Sequence, residues 1–173
     1  MTIENFLSDH ECAFWHNYCK YAAENDSIQV GLKVNNKDMI RVDRKYYTIY
    51  QKFHWMDRVL QVARKNFGND LHFQGRWFAQ IMHYCNPGQG LDWHAEGRIS
   101  TVSVSINITP KEEYKGADFE VKGHNIETPY KGAVFYKSDA LHRVTPLIEG
   151  DKKSLVLWLP CKEQVGKEMG VKK

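Results

Sequence analysis

The hydrophobic period changes once along this chain, and that change limits what it can fold into. Up to about residue 75 the apolar residues recur at helical spacing. Ser8-Asp9-His10-Glu11 has capping-box form, Ser followed three residues later by Glu. Behind it Cys12, Trp15, Cys19 and Ala22 mark one face, with Phe14 and Tyr18 beside them, which predicts a helix over about residues 9–24. Met56, Val59, Leu60, Ala63 and Phe67 form a second stripe ended by Gly68, which predicts a helix over about 54–67. Between them Lys37 to Lys52, with Arg41, Arg44, Tyr46, Tyr47 and Tyr50, reads as a polar, aromatic and basic loop.

From about residue 76 the period is that of strands. Residues 76–84, 100–109, 118–121, 133–136 and 154–159 are short β-rich runs separated by Gly, Pro, Asn and charged residues. Helices followed by many short strands give an α+β fold. A two-sheet jelly-roll barrel, a cupin-like double-stranded β-helix supported on one face by the N-terminal helices, fits that order. The 173 residues read as a single domain: 1–75 as helical support and substrate-side segment, 76–160 as the double-stranded β-helix core, and 161–173 as a lysine-rich tail expected to fray.

Composition narrows the setting. No apolar run approaches the roughly 20 residues needed to cross a bilayer, and the first residues lack the pattern of a secretory signal. The four cysteines include no Cys-x-x-Cys pair, so reduced thiols and a cytoplasmic, membrane-free location are expected. A net charge of +3 is too mild to indicate nucleic acid.

The chemistry gathers in two segments, Leu91-Asp-Trp-His-Ala-Glu96 and Leu141-His-Arg-Val-Thr-Pro146. Two imidazoles and one carboxylate, His94, Glu96 and His142, can occupy one face of an octahedral metal and leave the other open, as non-haem Fe(II) oxygenases require. With 8 histidines and 21 acids in 173 residues, about one His-x-Asp/Glu arises by chance, so the surroundings must carry the reading. On a strand the His94–Glu96 spacing points both side chains to one face. Alternation through Asp151–Trp158 puts Lys152, Ser154, Val156 and Trp158 on one face and Lys153, Leu155 and Leu157 on the other. An inward lysine beside a hydroxyl suits the distal carboxylate of a small dicarboxylate. Lys153 reads as an ordinary solvated lysine.

The order of these parts resembles the Fe(II)/2-oxoglutarate-dependent oxygenases, most closely their prolyl-4-hydroxylase-like branch. His142-x-Val-x-Pro is followed by Gly150, by Lys152 ten residues after the histidine, and by a strand ending in Trp158. Upstream, Tyr84-Cys-Asn-Pro-Gly-Gln-Gly-Leu-Asp-Trp-His94 places a tyrosine ten residues before the first histidine. Between them lie a Ser/Val-alternating strand at 100–108, Tyr114-Lys-Gly-Ala-Asp-Phe119 and Pro129-Tyr-Lys-Gly-Ala-Val-Phe135. The resemblance covers about residues 76–160.

It implies that His94, Glu96 and His142 hold Fe(II), with 2-oxoglutarate and O₂ as co-substrates. Lys152 would meet the distal carboxylate of 2-oxoglutarate, with Ser154 as a further candidate. Tyr84 and Asn107 would make polar contacts to it, and Trp158 would stand near the substrate mouth. Two positions depart from the commoner form: Glu96 replaces Asp, and Lys152 replaces Arg, giving up bidentate geometry while keeping the charge. The activity implied is hydroxylation of a peptidyl proline or other peptide side chain, with Arg98 and the 37–52 loop as candidate substrate contacts. The alternatives are the same chemistry on a free amino acid, small metabolite or nucleobase, and a non-catalytic metal-binding barrel serving as a sensor.

Overall fold

The structure is a computed structural model that describes residues 1–24, 29–30, 45–49, 51–73, 79–96 and 101–161. Both expected helices are present, α1 over Asp9–Glu24 and α2 over His54–Phe67. The capping box forms: the Ser8 N–H donates to Glu11 Oε2 at 2.8 Å and the Glu11 N–H to Ser8 Oγ at 3.2 Å. At the end of α2 the Gly68 N–H reaches the Arg64 carbonyl. The helices bury Cys12, Trp15 and Cys19 from α1 and Trp55, Met56, Val59 and Ala63 from α2.

The strands run in chain order as β1 (Thr2–Ile3), β2 (Gln29–Val30), β3 (Lys45–Ile49), β4 (Ala79–Tyr84), β5 (Leu91–His94), β6 (Val102–Asn107) and β7 (Tyr114–Gly116). There follow β8 (Phe119–Val121), β9 (His124–Ile126), β10 (Ala133–Lys137), β11 (His142–Val144), β12 (Leu147–Gly150) and β13 (Lys152–Leu159). They pair antiparallel into a seven-stranded sheet of order β1-β10-β6-β13-β4-β3-β2, a four-stranded sheet of order β5-β11-β8-β9, and the pair β12-β7.

The seven-stranded sheet has two different faces. Its back carries Ile81, Val104, Ile106, Phe135, Leu155 and Leu157 into one core with both helices. Each such fully buried aliphatic side chain contributes about 1.5–3 kcal/mol. On the front, Met82, Tyr84, Val156 and Trp158 pack with Tyr114, Ala117 and Val144, while Val134 and Tyr136 pack with Phe119. Helices thus cover the back and the smaller sheet covers the front. Burial on both faces is why β6 and β13 contain so few exposed positions.

Two expectations need correction. The stretch read as a loop over 37–52 contains β3, which pairs with β4 from Lys45↔His83 to Ile49↔Ala79 and buries Tyr47 and Ile49. The sheet is therefore not confined to residues 76–160. Lys153 is not solvated but buried on the back face, where its Nζ donates to Asp151. Asp151 also accepts from His83 at 2.7 Å, and His83 Nδ1 lies 3.3 Å from the Tyr47 hydroxyl. The alternation that sends Lys152 inward sends Lys153 to the buried back face, close enough to Cys19 of α1 to act on it electrostatically, and a charge there needs a partner.

Candidate metal centre

His94 ends β5 and His142 opens β11, and the two are direct partners in the antiparallel register. Their ring centroids lie 4.1 Å apart. Glu96 lies two residues beyond His94, past the end of β5, so the strand geometry expected for the pair holds only for its first member. The Glu96 N–H donates to the Ser138 carbonyl at 2.9 Å, which brings the carboxylate back over the histidines. Glu96 Oε1 is 3.6 Å from His94 Nε2 and 3.5 Å from His142 Nε2. One donor atom from each residue lies within 4.8 Å of the others.

The histidines are set for coordination by their other nitrogens. His94 Nδ1 donates to the Asp92 carbonyl and His142 Nδ1 to the Ala140 carbonyl, each at 2.8 Å. A proton fixed on Nδ1 leaves the Nε2 lone pair aimed at the centre, as a metal-binding histidine requires. His142 is further held between Tyr136 and Phe119, at ring separations of 4.8 and 6.0 Å. The donor set therefore fits a divalent cation: two imidazoles oriented through Nδ1 and one carboxylate within reach of both.

An external clamp supports this arrangement. The Arg143 guanidinium stands 4.8 Å over the Trp93 ring and donates to Glu120 at 2.7 Å. It thereby spans β5, β11 and β8 on the solvent side of the strands that carry the histidines. The pairing of β5 with β11 is sparse, with a register shift between His142 and Val144. Nothing in the sequence marked Trp93 or Arg143 for this role beyond their places beside the histidines.

Deeper in, Lys152 is 3% exposed and lies opposite Tyr84 in the β13–β4 register. Its Nζ donates to the Ala117 carbonyl and stands 5.3 Å over the Tyr114 ring. Among the described residues no carboxylate lies within 4 Å of it. Burial pushes its ammonium down to about 8, with Lys111 adding to the shift and Asp118 opposing it. Tyr84 is buried, and Ser154 lies opposite Asn107 in the β13–β6 register. Asn107 is at the middle of the sheet, and its side chain is engaged by protein. Nδ2 donates to the Tyr114 hydroxyl at 3.3 Å and the Thr128 carbonyl at 3.0 Å, while Oδ1 accepts from the Thr109 N–H. Trp158 is half-buried beside Glu96.

Arg98, Arg41, Arg44 and Tyr50 lie outside the described residues. An open cleft next to the histidines is lined by Trp93, Lys122, Asp139 and Leu141.

No known family profile matches the chain. A PKHD-type hydroxylase of Hyphomonas neptunium is 31% identical over 90 residues, which are 49% of this chain and 39% of that protein. The chain thus spans less than half the length of this curated relative. Among solved structures, a Trichoplax adhaerens prolyl hydroxylase in complex with a hypoxia-inducible-factor peptide fragment superposes with a TM-score of 0.78. The match covers 99% of this chain and 87% of that one at 16% identity. The chain shares its fold with this prolyl hydroxylase. A non-haem α-ketoglutarate-dependent carbocyclase of nogalamycin biosynthesis also matches, with a TM-score of 0.70 over 92% of this chain and 78% of its own, at 13% identity. No helix among the described residues is long and apolar enough to cross a membrane.

Proposed function

We propose that the chain is an Fe(II)- and 2-oxoglutarate-dependent dioxygenase that hydroxylates a peptidyl proline or another peptide side chain. In this reading the two main sheets are the halves of a double-stranded β-helix, and the centre lies between them. The observation that carries it is the pairing of a three-donor centre, His94, Glu96 and His142, with a buried lysine that no described carboxylate neutralises. A structural metal site needs no such lysine. A site for a chelating dicarboxylate does, because the far carboxylate must find a cation once it leaves water.

Iron in such a site supplies O₂ activation coupled to decarboxylation of 2-oxoglutarate to succinate. The chain's own part is placement. His94 and His142 present Nε2 with their tautomers fixed by backbone carbonyls. Glu96 brings the carboxylate of the three-donor set. Lys152 orients the dicarboxylate by its far end, with the Tyr84 and Ser154 side chains facing the same interior. Asn107 acts through Tyr114, whose hydroxyl it holds. The substrate approaches past Trp158 and the cleft at Trp93 and Leu141, with Arg98 a further contact. A small-molecule substrate is the second reading, because the carbocyclase places metabolite chemistry on this same fold.

The test is an anaerobic visible spectrum of the protein with Fe(II) and 2-oxoglutarate, set beside that of His94→Ala. A weak charge-transfer band in the wild type that vanishes in the variant supports chelation at this centre. Folded protein with both components in excess and no band would end the enzyme assignment. Incubation with peptide and metabolite pools, read as the gain of one oxygen, separates the two substrate classes.

A further inference from the structure

A buried cation that has to receive a ligand carboxylate faces two opposed requirements. With a permanent carboxylate partner it is satisfied but blocked. With nothing beside it, burial strips its proton and it no longer attracts an anion. Lys152 meets neither fate in a simple way. Its ammonium is buried, gives one N–H to the Ala117 carbonyl, and rests 5.3 Å from the centroid of the Tyr114 ring. An ammonium has three N–H donors, so this arrangement leaves two for an incoming ligand.

The charged groups nearby do not substitute for a partner. Lys111 and Asp118 pair with each other at 2.7 Å, and Lys111 Nζ itself stands 4.4 Å from the same Tyr114 ring. Tyr84, opposite Lys152 on β4, offers a phenol and not a carboxylate. Tyr114 is fixed from behind, because hydrogen bonds with Asn107 and Thr128 hold its hydroxyl. Its backbone is fixed as well, by pairing with Gly150 two residues before Lys152. A ring face attracts a cation through its quadrupole, takes none of its donors and adds no net charge.

We propose that Tyr114 is a positioning residue for the co-substrate, its ring holding Lys152 charged and open to the distal carboxylate of 2-oxoglutarate in place of an acidic partner. The inference rests on the reading of Lys152 as the 2-oxoglutarate cation. Burial already brings the ammonium to the edge of the physiological range, so the ring's contribution decides what fraction stays charged above neutrality. Once the ligand is bound, the carboxylate keeps the lysine charged whatever the ring does. Weakening the ring therefore costs affinity only where the free lysine can lose its proton.

That difference supplies the test. 2-Oxoglutarate is titrated into the full chain loaded with Mn(II), at pH 6.5 and pH 8.5, for wild type, Tyr114→Phe and Tyr114→pentafluorophenylalanine. The last keeps the size of the ring and removes its attraction for a cation, so the fold is retained. Tyr114→Phe, which lacks only the hydroxyl held by Asn107, is the reference against which the ring itself is read. The pentafluoro variant should bind about five- to tenfold more weakly than Tyr114→Phe at pH 8.5 and within about twofold of it at pH 6.5, as a one-unit fall in the lysine's pKa would give. Equal affinity of the pentafluoro and Phe variants at both pH values would overturn the proposal. So would an equal loss at both, or a loss in Tyr114→Phe as large as in the pentafluoro variant. Wild-type protein that holds Mn(II) but not 2-oxoglutarate would overturn the site reading together with the inference. Normal wild-type binding with an unresponsive Tyr114 would overturn the inference alone.

Discussion

Lys152 and Lys153 are consecutive on one strand and buried on opposite faces of one sheet, and of the two Lys153 is the one bonded to an acid. Asp151, which precedes both, is engaged by Lys153 and by His83 on the back face. Burial pushes the Asp151 carboxyl up, yet these two partners bring it down to about 2. The carboxylate closest in sequence to Lys152 is thus occupied elsewhere. The front-face lysine is left with a carbonyl and a ring.

Replacing Lys152 with Met should separate binding from stability. The 2-oxoglutarate affinity should fall by on the order of a hundredfold or more, because the distal carboxylate is left buried and unpaired. Metal affinity should change far less. The ligand-free protein should become more stable by on the order of 2–3 kcal/mol at pH 7, since a buried cation has gone. Urea denaturation and Mn(II)-loaded titration measure the two effects. Equal losses of metal and 2-oxoglutarate affinity would remove Lys152 from its role.

The pH dependence has a definite sign. The folded state lowers the lysine to about 8 from its ordinary value of 10.5, so the unfolded chain binds more protons between these values. Stability of the ligand-free protein from this group should therefore rise as pH increases from about 8 to about 10. Over the same interval 2-oxoglutarate affinity should fall, as fewer molecules carry the charged ammonium. Denaturation midpoints of wild type relative to Lys152→Met check the first trend. Isothermal titration across pH 6.5–9.5 checks the second, and a flat affinity profile would contradict it.

Arg143→Leu should weaken metal binding from outside the centre. The guanidinium ties together the strands bearing His94 and His142 through Trp93 and Glu120. Loss of such supporting contacts typically lowers metal affinity about 10- to 100-fold. Co(II) titration followed by its d–d absorption measures the change. The melting temperature should move little, because Arg143 is 37% exposed and its ion pair is worth little in water.

Gly150→Ala should destabilise the fold and impair the lysine site together. Gly150 has φ +88°, and a Cβ there would run into the Glu113 carbonyl. Left-handed strain combined with a backbone clash costs on the order of 2 kcal/mol or more. The clash falls where β12 meets β7, so it should also displace Tyr114. A lower urea midpoint with weakened 2-oxoglutarate binding is the expected pair of results.

Local patterns made much of this structure legible. Helical spacing located α1 and α2, and the Ser8–Glu11 signature located the first helix start. Alternation through 152–158 assigned every side chain to its correct face, because a strand's period of two leaves no freedom once one residue is placed. What alternation could not supply was the cover on each face. That is why Lys153 read as solvated although the back face buries it. The loop reading of Lys45–Ile49 failed for a similar reason: its tyrosines and lysine look polar, and only pairing with β4 and β2 makes a strand of them. Within the centre, His94, Glu96 and His142 could be named from sequence. Tyr114, Trp93 and Arg143 could not, since their parts depend on strand registers between distant segments.

The short turn at Ser138–Ala140 holds two of the three donors at once. Its first carbonyl fixes the backbone of Glu96 and its last fixes the ring of His142. The Ser138 hydroxyl is in turn tied to Ser103 on the large sheet at 2.8 Å. Two side chains hung from one support share its displacements. A displacement of the turn would therefore shift the Glu96 backbone and the His142 ring in the same direction, whereas His94 answers to Asp92 on a separate strand.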